Sequence, residues 1–222
     1  MRAERILDVA ADLLQRWGYR RLTMDDVANE AGIGKGTIYL HWRTREELFK
    51  AVLNREVAEL LGELQRAVES DPWNALPDRL GAIYFKLVIQ RPLVHAVFSM
   101  DRDVLGKFYQ LERERQPRLR LVRLDFMEFL QAMGVLRKDI SAEDAAWAFR
   151  TMLVGFFLAD PYFADDTPDL NRKAELLRIL LRGALGTQIE PSEEVVETIA
   201  RRTLELLREA SGAQLMAQLA RS

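Results

Sequence analysis

The residues best equipped for chemistry in this 222-residue chain lie in one short run, Gly34-Lys35-Gly36-Thr37-Ile38-Tyr39-Leu40-His41. Lys35 offers an ammonium that can neutralise a phosphate, and Gly34 and Gly36 let backbone amides approach one closely. Thr37 can hydrogen-bond a base edge or set its methyl against thymine. Tyr39 adds a ring and a hydroxyl, and His41 adds a donor for a phosphate. From Ala31 to Arg45 every charge is positive: Lys35, Arg43 and Arg45, with His41 between them. The net charge of −2 does not mark a binder of polyanions; a short cationic stretch of this kind can mark a phosphate-facing surface, although charge runs are usually just solvated faces.

The remaining residues offer little for catalysis. The sequence has no cysteine, which excludes disulfides, thiolate zinc sites, cysteine nucleophiles and thiol redox sensing. Its two histidines, His41 and His95, are far apart in sequence, against a histidine-rich metal site. There is no nucleophile elbow, phosphate loop or metal-ligand spacing. His95 near Asp101 and Asp103 is the one polar constellation of the later chain, and it is a poor one. The expectation is a protein that is not an enzyme and uses no cofactor or metal. The dense charges Glu112, Arg113, Glu114, Arg115, Arg118, Arg120 and Arg123 read as a solvated helix face, or as anchors for an anionic ligand. Arg2, Glu4, Arg5, Asp8 and Asp12 are incompatible with a secretory apolar region, and the uncharged run Thr151–Ala159 is too short to span a bilayer. A cytoplasmic protein is expected.

Helical periodicity predicts the elements that position the first run. Ile6, Val9, Ala10, Leu13, Leu14 and Trp17 recur at three- and four-residue spacing, which predicts an amphipathic helix over residues 3–17 closed by Gly18. Thr23 reads as the N-cap of a second helix, with Asp25 and Asp26 in its first turn and Val27, Ala28 and Ala31 inward. Gly32-Ile33-Gly34 breaks that helix, and residues 35–41 form a third. Ile38 and Trp42 would anchor it to a core of Ala10, Leu13 and Val27. Thr44 with Glu47 reads as a capping box opening a fourth helix over 45–70. Further helices are predicted over 73–90, 93–113, 117–134, 141–160, 169–186 and 192–210, with prolines at most joints and no convincing strand. Three short helices with a Gly-containing turn before the third are the sequence form of a helix-turn-helix, whose third helix enters the major groove of DNA.

The register is specific. It runs through Arg5-Ile6-Leu7-Asp8-Val9-Ala10-Ala11-Asp12-Leu13-Leu14, Trp17-Gly18-Tyr19, Leu22 to Ile33, and Gly34-Lys35-Gly36-Thr37-Ile38-Tyr39-Leu40-His41-Trp42-Arg43-Thr44-Arg45-Glu46-Glu47-Leu48-Phe49. Residues 5–50 resemble the DNA-binding head of the TetR family. The resemblance implies that Lys35, Gly36, Thr37, Tyr39 and His41 meet DNA from the recognition helix. It also implies that Thr23 and Arg45 lie where phosphates are commonly held. Gly34 stands where the family usually has Ser, so a hydroxyl cap is missing, and Trp42 replaces the usual Phe. The chain has almost no basic arm before its first helix.

The resemblance implies an all-α protein of about nine to ten helices. A head at 1–50 would be followed by a helical body at 51–222 that holds a small-molecule pocket and forms a homodimer. Of the body's many aromatic and methionine side chains, Phe126, Phe129, Met133, Trp147 and Met152 are the candidate pocket residues, because they fall on middle helices, although such side chains are more often simply core. Helices near 141–160 and 169–186 would make the dimer, with Leu177, Leu180, Leu181, Ala184 and Leu185 as its apolar stripe. The tail carries Val195, Val196, Ile199, Ala200, Thr203, Leu204 and Leu207 on one face, suited to its own body or to the partner's. The expected function is a sequence-specific DNA-binding regulator. It would be a repressor released from a palindromic operator in double-stranded DNA by a small apolar or amphipathic effector, without membrane contact. The alternatives are a helical small-molecule or lipid-binding protein or enzyme retaining a helix-turn-helix, and an effector-independent DNA-binding protein.

Overall fold

Caps written into the sequence set where the helices begin. The computed structural model describes residues 2–99, 124–163 and 167–219. Helix α1 (Arg2–Arg21) is followed by α2 (Met24–Ala31), α3 (Lys35–Tyr39) and the long α4 (Arg45–Ser70). Then come α5 (Pro77–Ile89), α6 (Pro92–Ser99), α7 (residues 124–132), α8 (Ala142–Leu158), α9 (Leu170–Leu185) and α10 (Glu193–Leu219). Among the described residues the only extended pairing is a single bridge between Leu136 and Gly186, so the all-α expectation holds. No helix among them is long and apolar enough to cross a membrane.

At α2, Thr23 Oγ1 accepts from the Asp26 amide at 3.1 Å, and the Asp26 carboxylate accepts from the Thr23 amide at 2.9 Å, a complete capping box. At α4, Thr44 Oγ1 accepts from the Glu47 amide at 3.1 Å. The Glu47 carboxylate, however, accepts from the Arg43 amide at 2.7 Å, one residue earlier than a box requires. Ser141 and Asp169 cap α8 and α9 in the same manner. Gly32 closes α2 at φ 64°, a left-handed conformation that glycine adopts without penalty. Gly18, at φ 70°, kinks α1 where the sequence predicts an end, and a further helical turn runs to Arg21.

Other boundaries move for local reasons. Pro72–Ala75 winds as a 3-10 turn, capped by the Asp71 carboxylate on the Trp73 amide, and α5 starts only at Pro77. The recognition element stops at Tyr39, which leaves His41 in the following turn, its amide donating to the Ile38 carbonyl at 2.9 Å. Of the helices expected over 93–113 and 117–134, Pro92–Ser99 and residues 124–132 are helical. The charge cluster 112–123, with Asp101 and Asp103, lies outside the described residues.

Two cores organise the chain. The first joins Ile6, Ala10, Leu13 and Leu14 of α1, Val27 and Ala28 of α2, Ile38 of α3, and Leu48, Phe49, Val52 and Leu53 of α4. Leu93 and Ala96 of α6 complete it from far along the sequence. The second takes Leu60, Leu64 and Val68 of the same α4, Phe85 and Val88 of α5, Val94 of α6, Leu130 of α7, Leu153 and Phe157 of α8, and Leu177, Leu181 and Leu185 of α9. Helix α4 passes from one core to the other between Leu53 and Leu60. Helices α5 and α9 cross closely at Gly81, where an added Cβ would stand 2.6 Å from Leu181 Cδ1. Helix α10 lies along α4 and the 72–75 turn, burying Val196, Ile199, Ala200 and Thr203 on its own subunit.

The stripe expected for a dimer divides in two. Leu177, Leu181 and Leu185 are buried in the protein's own core, because their spacing follows the face packed on α5. Leu180 and Ala184 lie exposed on the other side of α9, with Ile179.

Candidate nucleic-acid interface

Helix α3 is short and could not stand alone. It is held by Ile38, which is fully buried in the first core, and by Trp42, which packs against that core. Burying a side chain the size of Ile38 is worth about 1.5–3 kcal/mol, enough to fix which residues face out. Those are Lys35, Gly36, Tyr39, Leu40 and His41, with Thr37 half-buried. Gly34 is the N-cap and supplies no side-chain hydrogen bond, in keeping with the missing hydroxyl. An added Cβ at Gly34 or Gly36 would meet nothing within 4 Å among the described residues, so no packing there requires glycine.

The outward side chains are not all idle. Lys35 Nζ donates to Asp25 of α2 at 2.7 Å and lies 5.9 Å from the Tyr39 ring. The Asp25 carboxylate holds the Lys35 ammonium above the usual lysine range. The His41 ring sits 5.4 Å from that of Trp42. Thr23 Oγ1 donates to Asp26 at 2.6 Å while capping α2, so its hydroxyl serves the helix first. Arg45 is half-buried: Nη1 donates to the Leu22 carbonyl at 2.9 Å, and the guanidinium carbon sits 4.2 Å over the Tyr19 ring. Tyr19 donates to Glu46 at 2.8 Å, and burial, then that carboxylate, raises its pKa. Arg45 thus ties the start of α4 to the loop between α1 and α2.

Sequence reasoning missed two residues at this surface. Leu40 is 83% exposed, an apolar side chain between the two proposed contacts Tyr39 and His41; its only sequence signal was that it breaks the inward spacing of Ile38 and Trp42. In sequence Asp25 is a helix-start charge, and its place beside Lys35 appears only when α2 and α3 are folded together.

In the body, Phe126 and Phe129 stack at 6.1 Å, and both, with Met133 and Met152, pack against the second core. Trp147 does not join them. It is 63% exposed, on an outward face of α8 shared with Val154 and Leu158, because Ala145, Ala146, Leu153 and Phe157 take the inward positions. A separate aromatic cluster forms where α5, α6 and α8 meet. Phe157 lies 5.2 Å from Phe98, 5.7 Å from Phe85 and 6.3 Å from Tyr84, centroid to centroid. Beside it, His95 Nε2 donates to the Phe157 carbonyl at 2.9 Å. None of the five candidate pocket residues lines the surface notch bounded by Leu76, Asp78, Leu136, Leu181 and Ile189.

Comparison with known proteins places this surface in a family context. Residues 6–52 match the model of bacterial regulatory proteins, tetR family. The chain is 26% identical over 202 residues to an uncharacterized HTH-type transcriptional regulator, YfiR, of Bacillus subtilis, an alignment covering 83% of this chain and 92% of the relative. In fold it is similar to a transcriptional regulator from Saccharomonospora viridis solved in complex with choline, with a TM-score of 0.64 at 18% identity, covering 84% of this chain and 98% of the other. It is similar too to NalD, the secondary repressor of the MexAB-OprM multidrug efflux pump in Pseudomonas aeruginosa, with a TM-score of 0.62 at 18% identity over 85% and 97% of the two chains.

Proposed function

We propose that the chain, whose residues 6–52 match the tetR-family model, is a TetR-type transcriptional regulator that acts in the cytoplasm as a homodimeric repressor, whose two α3 helices read a near-palindromic operator and let go when a small apolar or amphipathic molecule enters the body. The observation that carries the reading is the outward face of α3, where Lys35, Tyr39, Leu40 and His41 are exposed on a helix pinned by buried Ile38. Lys35 and His41 hold phosphates, while Thr37, Tyr39 and Leu40 meet base edges and thymine methyls. Gly36 lets the backbone come close, and Thr23 and Arg45 flank the groove. The head then corresponds to residues 1–50, and the body to 51–222.

Trp147, Val154 and Leu158 of α8 and Ile179 and Leu180 of α9 are exposed apolar side chains that a second copy would cover. A two-fold pairing there sets the heads one or more DNA turns apart. The half-buried aromatics around Phe157, and the stacked Phe126 and Phe129, favour an apolar effector. Helices α4 and α6 both contribute to the two cores, so a ligand that shifts either one moves the head. NalD, similar in fold, is itself a repressor.

The test is selection of bound sequences from random duplex DNA by the purified full chain. A near-palindromic consensus is expected. A clean dimer that enriches no sequence would overturn the reading.

A further inference from the structure

Asp25 stands out once α2 and α3 are seen together. Its neighbour Asp26 completes the cap of α2, accepting from the Thr23 amide and hydroxyl. Asp25 takes no part in that box. It reaches across the helix-turn-helix to the recognition helix, and its carboxylate accepts from Lys35 Nζ at 2.7 Å. Both side chains are about half exposed, 49% for Lys35 and 58% for Asp25, so nothing in the packing obliges them to pair. The carboxylate occupies the ammonium that, in the reading above, is wanted by a DNA phosphate.

We propose that Asp25 is a built-in competitor for the DNA phosphate: in free protein it occupies Lys35, and DNA binding must exchange one anion for the other. The proposal rests on Lys35 being a phosphate contact. When Lys35 moves to the phosphate, Asp25 is left as an uncompensated anion facing the duplex, and it recruits a cation from solution. That uptake offsets part of the counterion release that drives sequence-independent binding. Asp25 therefore lowers the affinity of the head for arbitrary duplex and flattens its salt dependence. Contacts to bases by Thr37, Tyr39 and Leu40 are untouched by it. The device keeps a regulator with a cationic recognition element from being held by DNA of any sequence.

The experiment uses the full chain and a labelled random-sequence duplex, with affinity measured across a salt series for wild type, Asp25→Asn, Lys35→Met and the double variant. Asp25→Asn should bind several-fold tighter at moderate salt, with a slope of log affinity against log salt steeper by up to about 1. In the Asp25→Asn background Lys35→Met should bind more weakly, with a slope shallower by about 1; with Asp25 present the drop is smaller by the part that cation uptake cancels. In the Lys35→Met background the effect of Asp25→Asn should largely vanish. Asp25→Ser, which retains a hydroxyl acceptor in the first turn of α2, should repeat the tightening if loss of a helix-end charge unsettles the Asn variant. Lys35→Met with unchanged affinity and slope in the Asp25→Asn background would overturn the phosphate role of Lys35 itself, and this proposal with it. Lys35→Met weakened as expected, with no tightening from either Asp25 variant, would overturn the competitor alone. So would a tightening that persists in full without Lys35, since Asp25 would then be a general repulsive charge.

Discussion

Gly36→Ala separates folding from DNA binding at one atom. Gly36 is inside α3, and an added Cβ would meet nothing within 4 Å among the described residues. In a helix, alanine is favoured over glycine by roughly 0.5–1 kcal/mol, because the unfolded glycine has more conformational freedom to lose. With no clash to offset that gain, the variant should be more stable, melting about 1–4 °C higher for a chain of this size. The new methyl, however, points away from the buried side of α3, towards the proposed groove. If the backbone at Gly36 comes within van der Waals contact of DNA, the methyl forces α3 outward and strains the contacts of Lys35 and Tyr39 together. A tenfold or greater loss of operator affinity is expected, or about 1.4 kcal/mol and above. Thermal melting and fluorescence anisotropy with the selected operator read the two effects separately. A raised melting temperature with unchanged affinity would refute the close approach, and a lowered one would refute the helical placement of Gly36.

Four other perturbations probe the body and the seam. Leu180→Glu puts a charge on the exposed apolar face of α9 and should give a folded monomer by sedimentation; a persistent dimer would place the interface elsewhere. Burial, then the neighbouring Glu59, raises the pKa of Glu56, so its ionised form opposes folding at neutral pH and that opposition fades as the pH falls through the raised pKa towards the usual glutamate value. Glu56→Gln should therefore be more stable than wild type at pH 7 with a gain that shrinks on acidification, and an equal gain in melts at both pH values would contradict the cause assigned. Thr203 Oγ1 is buried without a hydrogen-bond partner among the described residues, so Thr203→Val should stabilise by about 1 kcal/mol in denaturant titration, and a loss would mean the hydroxyl is satisfied. Leu93→Ala, in the first core, should cost about 2–5 kcal/mol and weaken operator binding, whereas Val94→Ala, in the second, should cost less and spare binding in the absence of effector; matching signatures would show that α6 does not divide its two faces between the cores.

What could be read from the sequence follows the range of the interactions. Ile6, Ala10, Leu13, Val27 and Ile38 were legible as core because each repeats within a helical turn or two of the next. Thr23 and Thr44 were legible as caps because a cap acts over three residues. The pairing of Lys35 with Asp25 was not, since it spans a turn whose geometry decides whether the side chains meet. Helix α9 shows another limit. Leu177, Leu181 and Leu185 on one side and Ile179 and Leu180 on the other are all apolar, so spacing alone does not say which row is inside. Trp147 misled for a related reason: a large aromatic on a central helix reads as core, but small Ala145 and Ala146 take the inward positions on α8 and leave the indole outside.

The seam between the cores makes the expected function physically reasonable. Helix α4 is continuous across it, and Arg55, just past Leu53, donates to Asp8 of α1 at 2.7 Å and lies 3.6 Å from Glu4. The Arg55 side chain is largely buried while both carboxylates stay mostly exposed, so the contact joins α1 to α4 with the modest strength of a surface bridge. Helix α6 makes the second crossing: Leu93 and Ala96 are part of the core beneath α3, Val94 belongs to the other core, and His95 is hydrogen-bonded to Phe157 of α8. A ligand settling among Tyr84, Phe98 and Phe157 would press on α6 from the body side. Close-packed interiors do not absorb such a push continuously, so Leu93 must carry it into the packing beneath the recognition helix. Reversing a 99:1 preference between two head arrangements needs about 5.5 kcal/mol of differential ligand affinity. Fully burying one Leu-sized side chain is worth about 1.5–3 kcal/mol, so repacking two or three residues along α6 is enough to reach that scale.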